Sequence, residues 1–356
     1  MFALLICALV FYLVGGYLGL PRSMRFTLLG LFYVAILGVH LIFPDGHPLR
    51  LATGESAAPW AILGGFIVLI LAYRYVLSWL KRRAEPQTTG EAELTPDAFK
   101  SEELDRYARH IVLREIGGPG QMALKKARVL VIGAGGLGAP ALQYLASSGV
   151  GIIGIIDHDV VENANLQRQV IHQDAAIGTP KVFSAQAQLE AQNPHIKILP
   201  YNRRFEADIA ETLCAEYDII LDGSDNFDTR YLANKTAIAL KKPLVFGALS
   251  PWEGQVSVFD PATSGPCYQC IFPAKPSADL APTCSEAGVF APLPGIIGTM
   301  MAGEALKLLT RAGFVLRGEM IIYDALYSEM RKIKTSPRAD CPICGAGQRL
   351  NEKELS

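Results

Sequence analysis

The run Gly133-Ala134-Gly135-Gly136-Leu137-Gly138 restricts the fold more than any other feature, because it follows the β-branched stretch 129–132 and opens the helical pattern 137–148. A G-x-G-x-x-G between strand and helix brings bare backbone close to a phosphate. The helix N-terminus adds free N–H groups and a positive dipole end. Short apolar runs at 152–156, 219–221 and 244–246 then alternate with helical patterns. This alternation predicts an α/β fold, a Rossmann-like, mainly parallel sheet with helices on both faces. Asp157 closes the second run, 24 residues beyond Gly133, where a carboxylate accepts hydrogen bonds from ribose hydroxyls. On these residues alone, an NAD-dependent oxidoreductase fits best.

Residues 1–80 are of another kind. Three apolar runs occur there: 1–20, 26–43 broken only by His40, and 60–80 broken by Arg74. Each reaches the ~20 residues of a membrane-spanning helix, so about three transmembrane helices are expected. Arg74 is near the end of its run, where its side chain can snorkel to the headgroups. A cleaved signal peptide is the alternative for the first run, which lacks a basic start and a small-x-small cleavage site. Arg22 and Arg25 flank one junction and Lys81, Arg82 and Arg83 another, whereas 44–59 holds only Arg50. Basic ends belong inside, so three spans put the N-terminus outside and everything after residue 80 in the cytoplasm of a cell bearing this inner or cell membrane protein. The stretch 83–97, with Pro86, Gly90 and Pro96, reads as a linker. The expected division is a membrane segment 1–80, a linker 81–98, a nucleotide-using domain 99–347 and a tail 348–356.

Charge and cysteine usage narrow the partners. With 33 basic and 34 acidic side chains there is no global field to draw nucleic acid. Cys267 and Cys270 form one C-x-x-C pair and Cys341 and Cys344 another, with 70 residues between them. Four thiolates fill a tetrahedral Zn²⁺ and leave no open position, which points to a structural zinc stapling the C-terminal part to the loop near Pro266. A disulfide pairing suits a cytosolic domain poorly. Cys7 and Cys214 have no partner pattern.

After Asp157 the chain reads His158-Asp159-Val160-Val161-Glu162-Asn163-Ala164-Asn165-Leu166-Gln167-Arg168-Gln169, and later Gly178-Thr179-Pro180-Lys181. Arg106-Tyr107-Ala108-Arg109, Asp222-Gly223-Ser224-Asp225-Asn226, Pro282-Thr283-Cys284-Ser285-Glu286-Ala287-Gly288-Val289 and both cysteine pairs complete an ordered set from about Leu104 to Cys344. The set resembles the ubiquitin-activating-like superfamily, specifically its molybdopterin-synthase adenylyltransferase and thiamine-biosynthesis branch, the HesA/MoeB/ThiF group. The resemblance implies ATP-dependent adenylation of the C-terminal glycine carboxylate of a ubiquitin-like sulfur-carrier protein ending in Gly-Gly. It places Gly133, Gly135, Gly136, Gly138, Asp157, Asn165, Gln167 and Asn226 against the nucleotide and its metal shell. Arg168 and Lys181 take the phosphate-binding positions, and Asp225 holds Mg²⁺, a hard cation suited to oxygen ligands. The arginine matching Arg109 reaches across a dimer interface in similar enzymes, which implies a homodimer.

The chemistry implied needs cations and no general base. A carboxylate is already the nucleophile at neutral pH, and it meets ATP only if their charges are offset. His158 is accordingly read as a packing or surface residue. Cys284 stands apart from the zinc pairs, in a segment that relatives use as a loop over the adenylate, where a thiolate could accept an acyl group or form a persulfide-linked intermediate. Molybdopterin-type relatives adenylate without it, whereas in thiamine-type ones it can join the carrier. Three rivals remain: the oxidoreductase, which needs a proton donor and a second domain; a membrane-anchored scaffold that has lost adenylation; and a tRNA-modifying dehydratase of the same superfamily, which typically lacks the paired cysteines. Ala164 departs from the usual Ser. No sulfurtransferase domain follows Cys344, so a separate sulfur donor protein is expected.

Overall fold

The computed structural model describes residues 2–17, 20–54, 56–84, 99–263, 265–276 and 287–345. The chain divides into two compact units, Met1–Thr95 and Pro96–Ser356.

Among the described residues the first unit contains four helices, α1 (Phe2–Tyr17), α2 (Arg22–Ile42), α3 (Pro48–Thr53) and α4 (Ala58–Ala84). Among the described residues, two stretches are long and apolar enough to cross a membrane, Met24–Ile42 in α2 and Ala58–Leu77 in α4. Here the structure differs from the three spans read from the sequence: α1 has 16 residues, which at about 1.5 Å per residue falls short of the ~30 Å hydrocarbon layer. The apolar side chains of α4 point outward, with Phe66, Val68, Leu69 and Leu71 each more than half exposed. His40, the break in the second run, is buried, and its Nε2 lies 3.1 Å from Thr53 Oγ1. Trp60 Nε1 donates to Thr53 O and Tyr33 Oη to Trp60 O, so polar groups join the ends of α2, α3 and α4.

The second unit begins with α5 (Ser101–Ile111) and α6 (Gly117–Lys126) and continues through β1 (Arg128–Ile132), α7 (Gly138–Ser147), β2 (Ile152–Ile156), α8 (Lys181–Gln192), β3 (Lys197–Tyr201), α9 (Ala207–Ala215), β4 (Ile219–Asp222), α10 (Phe227–Ala239) and β5 (Leu244–Leu249). Then come β6 (Glu253–Phe259), α11 (Tyr268–Ile271), α12 (Pro292–Thr310), β7 (Glu319–Asp324) and β8 (Glu329–Lys334). The strands form one sheet in the order β3-β2-β1-β4-β5-β6-β7-β8. Pairings from β3 across to β5 are parallel. Those from β5 to β8 are antiparallel, an extension beyond the last strand read from the sequence.

Central strands show why the alternation is legible. Val129 and Val131 of β1 enter a core with α7, α8 and α12, while Leu130 and Ile132 enter another with α9 and α10. Successive side chains point to opposite faces, so a strand covered on both is apolar throughout. Helix α12 lies close over α7: a Cβ on Gly298 would stand 2.2 Å from Leu137 O. Such closeness makes a substitution diagnostic. Gly→Ala inside a helix ordinarily stabilises by about 1 kcal/mol, whereas overpacking costs about 1–3 kcal/mol. Gly298→Ala is therefore expected to lower the Tm of the detergent-solubilised protein by several degrees, and an unchanged or raised Tm would refute this packing.

Candidate functional site

Successive strands are added on one side of β1 (β2, β3) and then on the other (β4, β5), so strand order reverses between β1 and β4, parallel hydrogen-bonded neighbours at the centre of the sheet. Ligands of open α/β sheets bind in the crevice beyond the strand ends at such a reversal. Ile132 stands opposite Asp222 there, and the next residues, Gly133 and Gly223, bring two turns together. A Cβ on Gly133, whose φ is +93°, would lie 3.0 Å from Gly223 O; one on Gly138 would lie 1.8 Å from Gly133 O. Glycine is required at both positions, once for a left-handed backbone and once for contact between helix and turn.

Within the turn, Ala134 is held at both polar atoms. Its N–H donates to Asp157 Oδ2 at 2.8 Å, and its carbonyl lies 2.9 Å from His172 Nε2. The N–H groups of Gly135, Gly136 and Leu137 have no protein partner among the described residues. Free donors at the mouth of α7 make an anion site.

Cationic side chains flank this turn. Arg168 folds back on its own segment, donating to Ala164 O and to Asn165 Oδ1, with its Cδ 4.0 Å from where a Cβ on Gly136 would be. The loop carrying it is pinned by a bridge between Val160 and Pro180. Pro180 precedes α8, whose first residue, Lys181, is buried and places Nζ 2.8 Å from Asp159 Oδ2. Burial by itself would raise the Asp159 carboxyl, but the hydrogen bond and charge of Lys181 outweigh it and hold the group below its ordinary value. His158 is exposed and reaches the other Asp159 oxygen at 3.3 Å, in keeping with a surface role.

On the β4 side, Asp222 is buried, and its Oδ1 accepts from Ser224 N and Ser224 Oγ. Burial pushes its carboxyl up, against the pull of the Arg230 guanidinium. Arg230 donates to Ser224 O, so the turn is held from behind. Asp225 follows, exposed and without an ion pair among the described residues. Asn226, expected at the nucleotide, has its Oδ1 occupied by Thr229 N as the N-cap of α10. Gln167 and Arg109 are both exposed, the latter in the last turn of α5. Cys284 lies outside the described residues, as do most of the linker and the tail.

The four remaining expected residues converge. Cys267, Cys270, Cys341 and Cys344 bring their sulfurs within 4.8 Å of one another, with the closer pairs 3.3, 3.6 and 3.9 Å apart. A tetrahedral Zn²⁺ at ~2.3 Å from each sulfur sets them about 3.8 Å apart. Burial above all, with the neighbouring cysteines, pushes the Cys267 thiol up to about 11, so a cation is what would make such a site anionic near neutrality.

Three residues given no role by the sequence shape the crevice: His172, and Asp159 and Asp222 within the motifs. His172 follows the apolar pair Val170-Ile171 and is buried, which is the one local hint that it packs inward. Burial, and then the charge of Lys181, lowers its pKa, while Ala134 O pulls the other way.

The chain's likeness to known proteins covers the second unit. A ThiF family model matches residues 107–343. The sulfur carrier protein adenylyltransferase of Thermus thermophilus is 47% identical over 251 residues, 69% of this chain and 93% of that protein. The SAMP-activating enzyme E1 of Haloferax volcanii is 45% identical over 245 residues, 69% of this chain and 90% of that protein. Among solved structures, E. coli MccB determined with ATP is similar in fold, with a TM-score of 0.60 and 23% identity over 68% of this chain and 74% of that one.

The lowered pKa of His172 has a signed consequence. Above about 6.5 the ring is neutral in folded and unfolded chains alike; below it the unfolded ring binds a proton that the folded one refuses, so stability falls as acid is added. His172→Gln is expected to flatten the decline in Tm between about pH 7.5 and pH 5.5. An equally steep decline in the variant would place the acid sensitivity elsewhere.

Proposed function

Because the chain belongs to the ThiF family, we propose that it is an ATP-dependent adenylyltransferase acting on the C-terminal carboxylate of a ubiquitin-like sulfur-carrier protein. The observation that carries this reading is the set of unpartnered N–H groups at Gly135, Gly136 and Leu137, with Arg168 beside them. The carrier's terminal glycine carboxylate attacks the α-phosphorus of ATP. An oxygen–phosphorus bond forms, the bond to the β-phosphate oxygen breaks, and pyrophosphate leaves with the electron pair. No proton moves. What this chain supplies is alignment and fixed positive charge where phosphate charge develops: backbone donors, the Arg168 fork and the Lys181 ammonium.

Mg²⁺ suits Asp225, an exposed carboxylate without an ion pair among the described residues. The cation would neutralise phosphate charge there. Arg109, exposed on α5, is free to serve a neighbouring subunit's site in a homodimer. The first unit is a membrane tether in this reading, a hairpin of α2 and α4. Arg22 and Arg25 near the start of α2 and Lys81–Arg83 at the end of α4 put the following domain in the cytoplasm, where ATP is present. The outward apolar face of α4 is what lipid would cover. The nicotinamide rival has no support from the relatives.

The test is carrier-dependent ATP–pyrophosphate exchange by detergent-solubilised protein, offered candidate carriers ending in Gly-Gly. Asp225→Ala is expected to abolish exchange and Cys284→Ala to leave most of it; no exchange with any carrier would favour a scaffold. For the cysteine cluster the reading is structural Zn²⁺. Purified protein should contain one zinc per chain, and Cys341→Ser should lose the metal and lower the Tm. Metal-free wild type would refute the zinc assignment.

A further inference from the structure

We propose that His172 is a positioning residue that aims the Gly135 N–H into the phosphate crevice and couples the glycine turn to the helix carrying Lys181. The inference rests on the adenylation reading and adds a residue to it. The Ala134 carbonyl belongs to the same peptide plane as the Gly135 N–H. In a trans peptide these two groups point in opposite directions, so whatever holds the oxygen also fixes the direction of the hydrogen. Glycines on both sides of Ala134 make rotation of this plane cheap, and an unheld plane would turn a carbonyl toward the incoming phosphate.

His172 provides that hold. Its Nε2 is 2.9 Å from Ala134 O, and a carbonyl only accepts, so Nε2 bears the proton. Nδ1, 2.9 Å from Ser184 Oγ, is then the acceptor of the serine hydroxyl. Ser184 stands three residues after Lys181 in α8, on the same buried side. Lys181 Nζ donates to Asp159 Oδ2, Asp159 N donates to Asp157 Oδ1, and Asp157 Oδ2 accepts the Ala134 N–H. The contacts close into a ring that starts and ends at Ala134. His172, Ser184 and Lys181 are all at least nine-tenths buried, so water does not readily substitute for a lost member.

The experiment measures KM for ATP, KM for the carrier and kcat in pyrophosphate exchange, together with direct titration of ATP into the full-length protein. His172→Asn keeps an acceptor for Ser184 and loses the donor to Ala134, while His172→Gln keeps a donor at the reach of Nε2. His172→Asn is expected to raise KM and Kd for ATP about tenfold, the equivalent of one buried carbonyl left unpaired, with KM for the carrier unchanged. His172→Gln should recover to within about threefold of wild type, and Ser184→Ala, which frees the ring but keeps its donor, should weaken ATP by about threefold. ATP bound alike by wild type, His172→Asn and Ser184→Ala would overturn the inference alone, as would equal loss in both KM values. Should His172→Asn not fold, Ser184→Ala and His172→Gln decide: wild-type ATP affinity in Ser184→Ala overturns the proposal. Wild type that binds no ATP would sink the adenylation reading and this inference with it.

Discussion

Two turns approach so closely at the centre of the sheet that a side chain at the point of contact would crowd the facing backbone, and the crevice depends on that approach. Gly133 rests against Gly223, and Gly138 against Gly133. The first contact joins the ends of β1 and β4, bringing the free N–H groups near the segment that bears Asp225. The second seats α7 on its strand. Parallel strands have their carboxyl ends at one edge, so residues far apart in sequence meet there without long excursions.

Polar order around the turns is supplied from behind. Asp222, Ser224 and Arg230 brace the β4 side, and Asp157 with His172 braces the β1 side. These groups are largely buried, whereas Asp225 and Gln167 are exposed. Braces fixed in low dielectric and working groups left open to solvent are the arrangement expected where a charged ligand must enter a geometry already set.

Much of this was legible in the sequence, for physical reasons that differ by element. The parallel strands announce themselves because burial on both faces makes them continuously apolar, and the glycine turn because its spacing encodes local backbone geometry. The cysteine pairs are equally local signals, joined only by the fold. His172 is not legible in the sequence, nor is the bracing contact of Asp222 with Ser224. The partner of His172 at the turn lies 38 residues away, and no periodicity marks a contact of that kind. Asn226, placed at the ligand by motif, also has its Oδ1 engaged as a helix cap, a role its position before Phe227 allows. Of the antiparallel strands, β7 and β8 are half-exposed or exposed along most of their length, which blurs their apolar pattern. The first apolar run has the composition of a span, while its described helix has 16 residues.

The Asp159–Lys181 pair has a bearing on selectivity. Lys181 is not idle: a carboxylate already satisfies it at 2.8 Å. Any anion that recruits the ammonium must compete with that resident partner, so singly charged, weakly basic anions gain little by entering. A polyphosphate, presenting several oxygens and more than one charge, can compete. Under the adenylation proposal the lysine would thus act as a threshold on charge density, separating nucleotides from the background of small cellular anions.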